Sequence, residues 1–326
     1  WPIPTPPRGA IAPSWGSRSS SMAIQRRNLR FTTIQESSMK MRLSASQVAA
    51  ADDCRRLHWY RSIAKVRVEV QAANLAFGKC IDVAVREYLD QLTRGNALPD
   101  PVTRFSGLWD EQRTEYELSF ASTQTPEDFY KMGVGLMEVF PSAWEKTGYT
   151  VVTDADGEPL LDLNLKVFLG TEIGIQLWWS GVLDLVVYTA EMETAVIDVK
   201  TGAAVHSPLY TFRSDQLTGY QILLDAHRQK LGIPALDRLG FFDLLKRKSE
   251  AKIEAPVVVP KRTNTDLIEF RQKLFWIADD IRRKRFPKAS RMQYNTPCEL
   301  CDYSGHCVRG DTEGLIFPNQ PKVASA

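Results

Sequence analysis

The chain has 326 residues, of which 44% are hydrophobic and 25% charged, with a formal net charge of +2. That length buries a large core, as one domain with an insertion or as two small ones, and the composition is ordinary for a globular protein. No apolar run is long enough to span a bilayer, and five cysteines clustered as they are do not make a secreted disulfide scaffold. Near-neutral charge neither requires nor excludes nucleic acid, because binding depends on local patches.

Residues 1–43 are rich in Pro, Ser, Gly and Arg, and their first acidic residue is Glu36, so a disordered extension is expected. The stretch resembles an organelle transit peptide. The simpler reading is translated upstream sequence with a start at Met22, Met39 or Met41, and a cytoplasmic protein (host-cell cytoplasm if phage-encoded). From Ser44 to about Leu92 the pattern is helical, and a helix from about Ala72 carries Ile81, Val85, Tyr88 and Leu89 on one face. Gly95 and the Pro99–Pro101 region break the chain, and residues 102–124 carry no decisive pattern. Thr125-Pro126-Glu127-Asp128 is a helix start, for a helix bearing Phe129, Met132, Leu136 and Phe140 and ending near Gly148.

Strand signals follow. Leu161, Leu163, Leu165 and Val167 alternate with polar residues, Ile175 to Val187 forms a longer strand, and 190–193 reads as a hairpin turn before Thr194–Val199. A helix over Ser214–Leu231 is closed by Gly232 and Pro234. Strands over Leu239–Leu245 and Ala255–Val259 and a helix over about Thr265–Lys284 complete the pattern. The fold class predicted is α/β, a mixed central sheet flanked by helices, with a helical insertion at about 97–150.

Asp184 stands late in one strand after Gly181, and Asp198 and Lys200 lie two apart on the next, so their side chains share a face. If the strands pair through the hairpin, the two carboxylates meet, and they repel unless a cation lies between them. Mg2+ or Mn2+ satisfies such a site, with the Val199 carbonyl as a further oxygen ligand and Lys200 beside the attacked phosphate. The alternative is a cross-strand Asp184–Lys200 ion pair on a solvated face. Against it, Leu183, Leu185, Val186, Val187, Val196, Ile197 and Val199 make these strands largely buried, where charges need a reason. Gln216 and Tyr220 stand four apart on one helix face, suited to holding a phosphate or orienting a lysine, or else to packing as core Tyr and surface Gln. Asp82 offers a third carboxylate for the metal, or an i,i+4 ion pair with Arg86.

Cys298-x2-Cys301-x5-Cys307 is a thiolate ligand pattern, and Cys54 is the best fourth ligand. Spacing alone fits zinc, with His306 or His58 as substitutes for Cys54, as well as an iron–sulfur cluster. Cys80 reads as a small buried residue. Lys246-Arg247-Lys248 and Arg282–Arg285 are either solvated cations or phosphate contacts, and Trp178 and Trp179 could stack bases, although at least one must face the core. There is no phosphate-binding G-x-x-x-x-G-K-[ST] loop, hence no helicase motor within the chain.

Gly181-Val182-Leu183-Asp184, Asp198-Val199-Lys200-Thr201-Gly202 and Gln216-x-x-x-Tyr220 resemble the RecB-like branch of the PD-(D/E)XK nucleases, over about Ser44 to Cys307. The resemblance implies a restriction-endonuclease-like fold and a metal-dependent DNA nuclease. Asp184 and Asp198 would bind the metal, Lys200 would be catalytic, and Gln216 and Tyr220 would support the site and contact DNA, with Lys246 and Lys248 as further DNA contacts. It also implies a 4Fe–4S cluster on Cys54, Cys298, Cys301 and Cys307, as in AddB-type and CRISPR-associated RecB-like exonucleases, with zinc as the alternative. The implied role is a single-strand exonuclease in DNA repair, recombination or phage DNA processing, with a helicase or recombination partner. The nuclease domain would run over 44–310, its cluster segment over 286–310 and a flexible tail over 311–326. One departure stands out: the family's first motif carries His four residues after its glycine, where this chain has Asp82 after Gly78. That departure leaves a catalytically inactive DNA-binding module, or a nuclease-like subunit of a larger complex, as the alternative.

Overall fold

A computed structural model of the chain describes residues 38–290 and 297–318. Most of the expected N-terminal extension and the last residues of the expected tail lie outside the described residues. In chain order, β1 (Met39–Leu43) leads into α1 (Ala45–Asp53) and the short α2 (Arg55–His58), which continues as a π-helical turn over Trp59–Ile63. Strands β2 (Arg67–Val68) and β3 (Gln71–Ala72) precede the long α3 (Ala73–Thr93). Then come α4 (Pro101–Glu115), β4 (Leu118–Ser119), α5 (Pro126–Thr147) and β5 (Thr150–Val151). The meander β6 (Leu161–Glu172), β7 (Ile175–Tyr188) and β8 (Thr194–Gly202) is followed by α6 (Pro208–Arg213) and α7 (Asp215–Leu231). Strands β9 (Arg238–Leu245), β10 (Lys252–Ile253) and β11 (Val257–Pro260) precede α8 (Asn264–Arg282), and α9 (Ser304–Arg309) and β12 (Leu315–Ile316) end the described chain.

The sheet is mixed, with the order β1-β7-β8-β9-β10; β5 and β6 also pair with β7, and β11 with β9. β6, β7 and β8 are antiparallel neighbours, whereas β1 runs parallel to β7 and β8 parallel to β9. Helices cover both faces. Val186, Val196 and Phe241 pack with residues of α7 and α8 in one core. Leu185, Val187, Ile197 and Phe242 pack with residues of α3, α4 and α5 in the other. The period-two alternation on β7, β8 and β9 therefore serves two cores, which is why these strands read as nearly continuous apolar runs.

The predicted helix start at Thr125 is a capping box. The Asp128 N–H donates to Thr125 Oγ1 at 3.1 Å, and the Thr125 N–H donates to the Asp128 carboxylate at 2.9 Å. The undecided stretch 102–124 holds α4, which starts on Asp100: its carboxylate accepts the Val102 and Thr103 N–H groups, and Pro101 takes the first helical position. Only four α4 residues are buried, Phe105 and Trp109 among them, and this thin apolar stripe hides the helix from a periodicity reading.

Two boundaries differ from expectation. The sheet starts before Ser44, because Met41 and Leu43 of β1 put their side chains into the core beside β7. The expected tail includes β12, whose Leu315 pairs with Val68. Two-residue pairings of this kind leave no periodic trace in sequence.

α7 lies close to β7 because Gly219 has no side chain. A β-carbon there would come within 2.3 Å of the Trp179 ring, and Trp179 Nε1 donates to the Gly219 carbonyl at 3.0 Å. Gly219→Ala should therefore cost about 1–3 kcal/mol of stability through overpacking, read as a lowered midpoint in urea unfolding.

Candidate active site

β7 and β8 pair regularly from Tyr188/Thr194 down to Leu185/Ile197. Beyond that pair the ladder gives way to a side-chain bond: the Val199 N–H donates to Asp184 Oδ2 at 3.0 Å. Asp184 and Asp198 thus stand at the opening of the hairpin, as the predicted register requires. Asp198 is fully buried. Its Oδ1 accepts from Gln216 Nε2 at 2.7 Å and from the Tyr220 hydroxyl at 3.1 Å, and Gln216 also donates to the Tyr220 oxygen at 2.7 Å. Oδ2 receives no aligned hydrogen bond and faces the Lys200 ammonium at 2.5 Å.

The Gln216/Tyr220 pair therefore orients a carboxylate rather than a lysine or a phosphate. An isolated buried carboxylate would otherwise be desolvated without compensation, and an amide and a phenol on successive helical turns supply that compensation. Tyr220 is 4% exposed, which turns it from an expected DNA contact into a support for Asp198. Gly181 faces the same helix: a β-carbon there would lie 3.2 Å from Leu223 Cδ1 and 3.4 Å from the Tyr220 ring, a close but not forbidden fit. It lies within β7, inside the strand expected over Ile175–Val187.

A cleft of about 570 Å³ opens over this group, lined by Asp82 and Lys79 of α3, by Asp184, Asp198, Val199, Lys200 and Thr201 of the sheet, and by Gln216. Asp82 thus faces the same cleft as the other two carboxylates, and Arg86, its expected ion-pair partner, pairs with Asp162 on β6. Burial, then the neighbouring Asp198 charge, push the Asp184 carboxyl up to about 8. Burial also raises Asp198 and Asp82. Burial alone would lower Lys200, but Asp198 holds its ammonium above the usual lysine value. Tyr220 is raised by burial and then by Asp198, so its phenol stays protonated and remains a donor.

Three carboxylates raised together form a site that gains from a cation, and their hard oxygens suit Mg2+ or Mn2+. Among the described residues no three His, Cys, Asp or Glu side chains converge closely enough to surround one ion. Lys200 offsets the Asp198 charge instead.

The PD-(D/E)XK nuclease superfamily profile matches residues 42–308, which hold all of these groups. The chain belongs to the PD-(D/E)XK nuclease superfamily. No curated protein matches it. Among solved structures it is similar to the crystal structure of SSO0001 at 11% identity and a TM-score of 0.33, over 72% of this chain and 98% of that one.

Asp184, Asp198 and Lys200, the residues expected from the sequence to carry the site, line one cleft, but the expected basic DNA contacts are less open than the sequence implied. Lys248 bonds to Asp128 at 2.8 Å and to the Thr123 carbonyl. Lys246 donates to Asn74 at the cleft edge at 2.6 Å, and burial lowers its pKa. Arg282, Arg283 and Arg285 all converge on Asp279 at the end of α8, a network that engages three of the four cations of the second basic cluster and leaves it net positive. Trp179 is core, while Trp178 lies under Lys166 Nζ at 4.3 Å from its ring centre. Lys79 and Asn74 line the cleft without having been singled out, and Thr201, named only as part of the strand motif, lines it too.

The cysteines gather elsewhere. Cys54, Cys298, Cys301 and Cys307 line one cavity of about 230 Å³, together with Leu57, Tyr60 and Pro297. Cys80 lies apart in the core, its thiol pushed up to about 11 by burial. His306 bonds through Nδ1 to the Asp311 carbonyl, and His58 is buried with neither ring nitrogen hydrogen-bonded among the described residues. Around the cavity the two ends of the chain are laced together. Arg55 meets Asp280 at 3.0 Å, the Arg56 N–H donates to the Pro287 carbonyl, and the Tyr303 hydroxyl donates to the Val66 carbonyl.

The carboxyl shifts fix a pH dependence. Unfolded, Asp184 loses its proton near 3.8; folded, near 8. Between those values the folded state binds more protons, so stability falls as pH rises through that window. In chelator the thermal midpoint should drop from pH 5 to pH 8. Asp184→Asn should flatten the drop, and Mg2+ or Mn2+ should raise the midpoint most at pH 8, all measurable by calorimetry.

Proposed function

We propose that this protein is a metal-dependent DNA exonuclease acting on single-stranded ends, in repair, recombination or phage DNA processing, in the cytoplasm and alongside a helicase or recombination partner. Membership of a nuclease superfamily implies phosphodiester cleavage and a DNA substrate. The observation that carries the reading is the buried Asp198, gripped on one oxygen by Gln216 and Tyr220 and facing Lys200 with the other, in a cleft shared with Asp184 and Asp82.

In this reading Asp184, Asp198 and the Val199 carbonyl would hold Mg2+ or Mn2+, with Asp82, across the same cleft, as the further carboxylate drawn to the ion. When bound, the cation neutralises the carboxylates, polarises the phosphate and activates a water for attack. The chain's own groups do the positioning. Gln216 and Tyr220 fix Asp198 so that Oδ2 is the oxygen presented to the cleft. The Val199 N–H fixes Asp184 in the same way. Lys200, kept charged, lies where an ammonium can orient the nucleophile and offset charge building on the phosphate. Asp82 takes the place of the family's histidine as a hard oxygen ligand.

The second half of the proposal is a 4Fe–4S cluster on Cys54, Cys298, Cys301 and Cys307, with zinc as the competing occupant. Four thiols around one cavity, two of them three positions apart, match a thiolate-ligated centre. Its role is to join the ends of the chain, since closing so long a loop restrains the unfolded state strongly.

Anaerobically purified protein should degrade end-labelled single-stranded DNA with Mn2+ or Mg2+. Asp198→Ala and Lys200→Ala should each reduce the rate by at least about 10²-fold. No cleavage by folded wild type would leave a DNA-binding module as the better account. Cys301→Ala should release iron and acid-labile sulfide and lower the thermal midpoint; a colourless protein containing one zinc would replace the cluster by the alternative metal.

A further inference from the structure

Beside the cleft, on the neighbouring strand β9, lies a second organised group. β8 and β9 run parallel, with Asp198 paired with Phe241 and Lys200 with Asp243, so all four side chains share one face of the sheet. Asp243 is 1% exposed. It does not turn to Lys200. Its Oδ1 pairs with His206 Nδ1 at 2.6 Å, and its Oδ2 accepts the His206 backbone N–H at 2.9 Å. A carboxylate only accepts, so Nδ1 carries the proton in this pair and Nε2 is the nitrogen left for another partner.

The imidazole is further fixed by two rings, Phe241 at 4.5 Å and Tyr210 at 4.8 Å between centres. Phe241 also lies under Lys200, whose Nζ is 5.9 Å from its centre. Imidazole and ammonium therefore share one aromatic floor. Tyr210 closes the cluster on the outside and is 59% exposed. It stands on α6, which Arg262 pins by donating to the Thr211 carbonyl at 2.8 Å and to Thr218 Oγ1 at 3.0 Å. A buried carboxylate spent on orienting one histidine, and an open phenol ring on a pinned helix, are more than a loop needs for its own stability.

We propose that His206 and Tyr210 form a nucleotide subsite next to the reactive phosphate. Tyr210 stacks an unpaired base on its open face, and His206 Nε2 contacts the backbone of the same nucleotide. This rests on the nuclease reading and deepens it, because only an unstacked base can lie on the Tyr210 ring. The ligand class is a single-stranded nucleotide adjoining the scissile bond.

The test is equilibrium binding of a short labelled single-stranded oligonucleotide and of its fully abasic analogue, by fluorescence anisotropy with Ca2+ in place of Mn2+. Tyr210→Ala should weaken the intact strand by about 5- to 150-fold and the abasic strand little, and Tyr210→Trp should restore tight binding. His206→Ala should weaken both strands alike. Unchanged binding by Tyr210→Ala, or equal loss on both strands, overturns the stacking role. Unchanged binding by His206→Ala overturns the backbone contact. Cleavage by wild type in Mn2+ is read separately. Its absence removes the nuclease reading while the binding comparison still decides the subsite.

Discussion

Everything in the site depends on removing one carboxylate from water. Asp198 sits at zero exposure in the middle of a sheet, and such a charge is tolerated only where it is hydrogen-bonded and balanced. The surrounding chain reads as a set of answers to that demand. α7 approaches closely enough for Gln216 and Tyr220 to reach it, which requires glycine at 219. Lys200 lies two positions along the same strand, and Asp184 anchors to the strand's own backbone where the hairpin opens. Loss of any one of these leaves the others with a charge that they do not fully offset.

The same arrangement explains why the site is poised rather than settled. Three acids share one cleft, and the raised Asp184 carboxyl records their crowding in this low-dielectric setting. A single lysine balances one charge. The remainder is a standing attraction for a divalent ion, so a group that weakens the empty fold at neutral pH becomes the reason the loaded fold binds its ion.

Much of this was legible in the sequence because it depends on short-range periodicity. The two-residue spacing of Asp198 and Lys200 and the four-residue spacing of Gln216 and Tyr220 fix shared faces whatever the rest of the chain does. The three strands around Asp184, and the helix starting at Thr125, have equally local causes. What stayed hidden depends on contacts between distant segments. β1 is a strand because β7 offers it an edge, and β12 exists because β2 is there. The pairing of His206 with Asp243 spans 37 positions and has no spacing signature. The loss of Lys248 to Asp128 was invisible for the same reason, since a lysine in a basic run looks free until its partner is placed.

The lacing of the chain's ends has a consequence for how the molecule is made. Arg55 meets Asp280 across 225 positions, and Cys54 shares its cavity with Cys298, Cys301 and Cys307, which follow α8 in the chain. During synthesis the meander β6–β8, α7 and β9 emerge first, so the carboxylate cleft is complete while α1 and α2 still lack their C-terminal partners. The nascent chain thus holds its carboxylate cleft residues before the C-terminal contacts of α1 and α2 are made. A chain truncated ahead of Cys298 would retain the cleft residues and the Arg55–Asp280 contact, and lose the Tyr303–Val66 bond together with Cys298, Cys301 and Cys307.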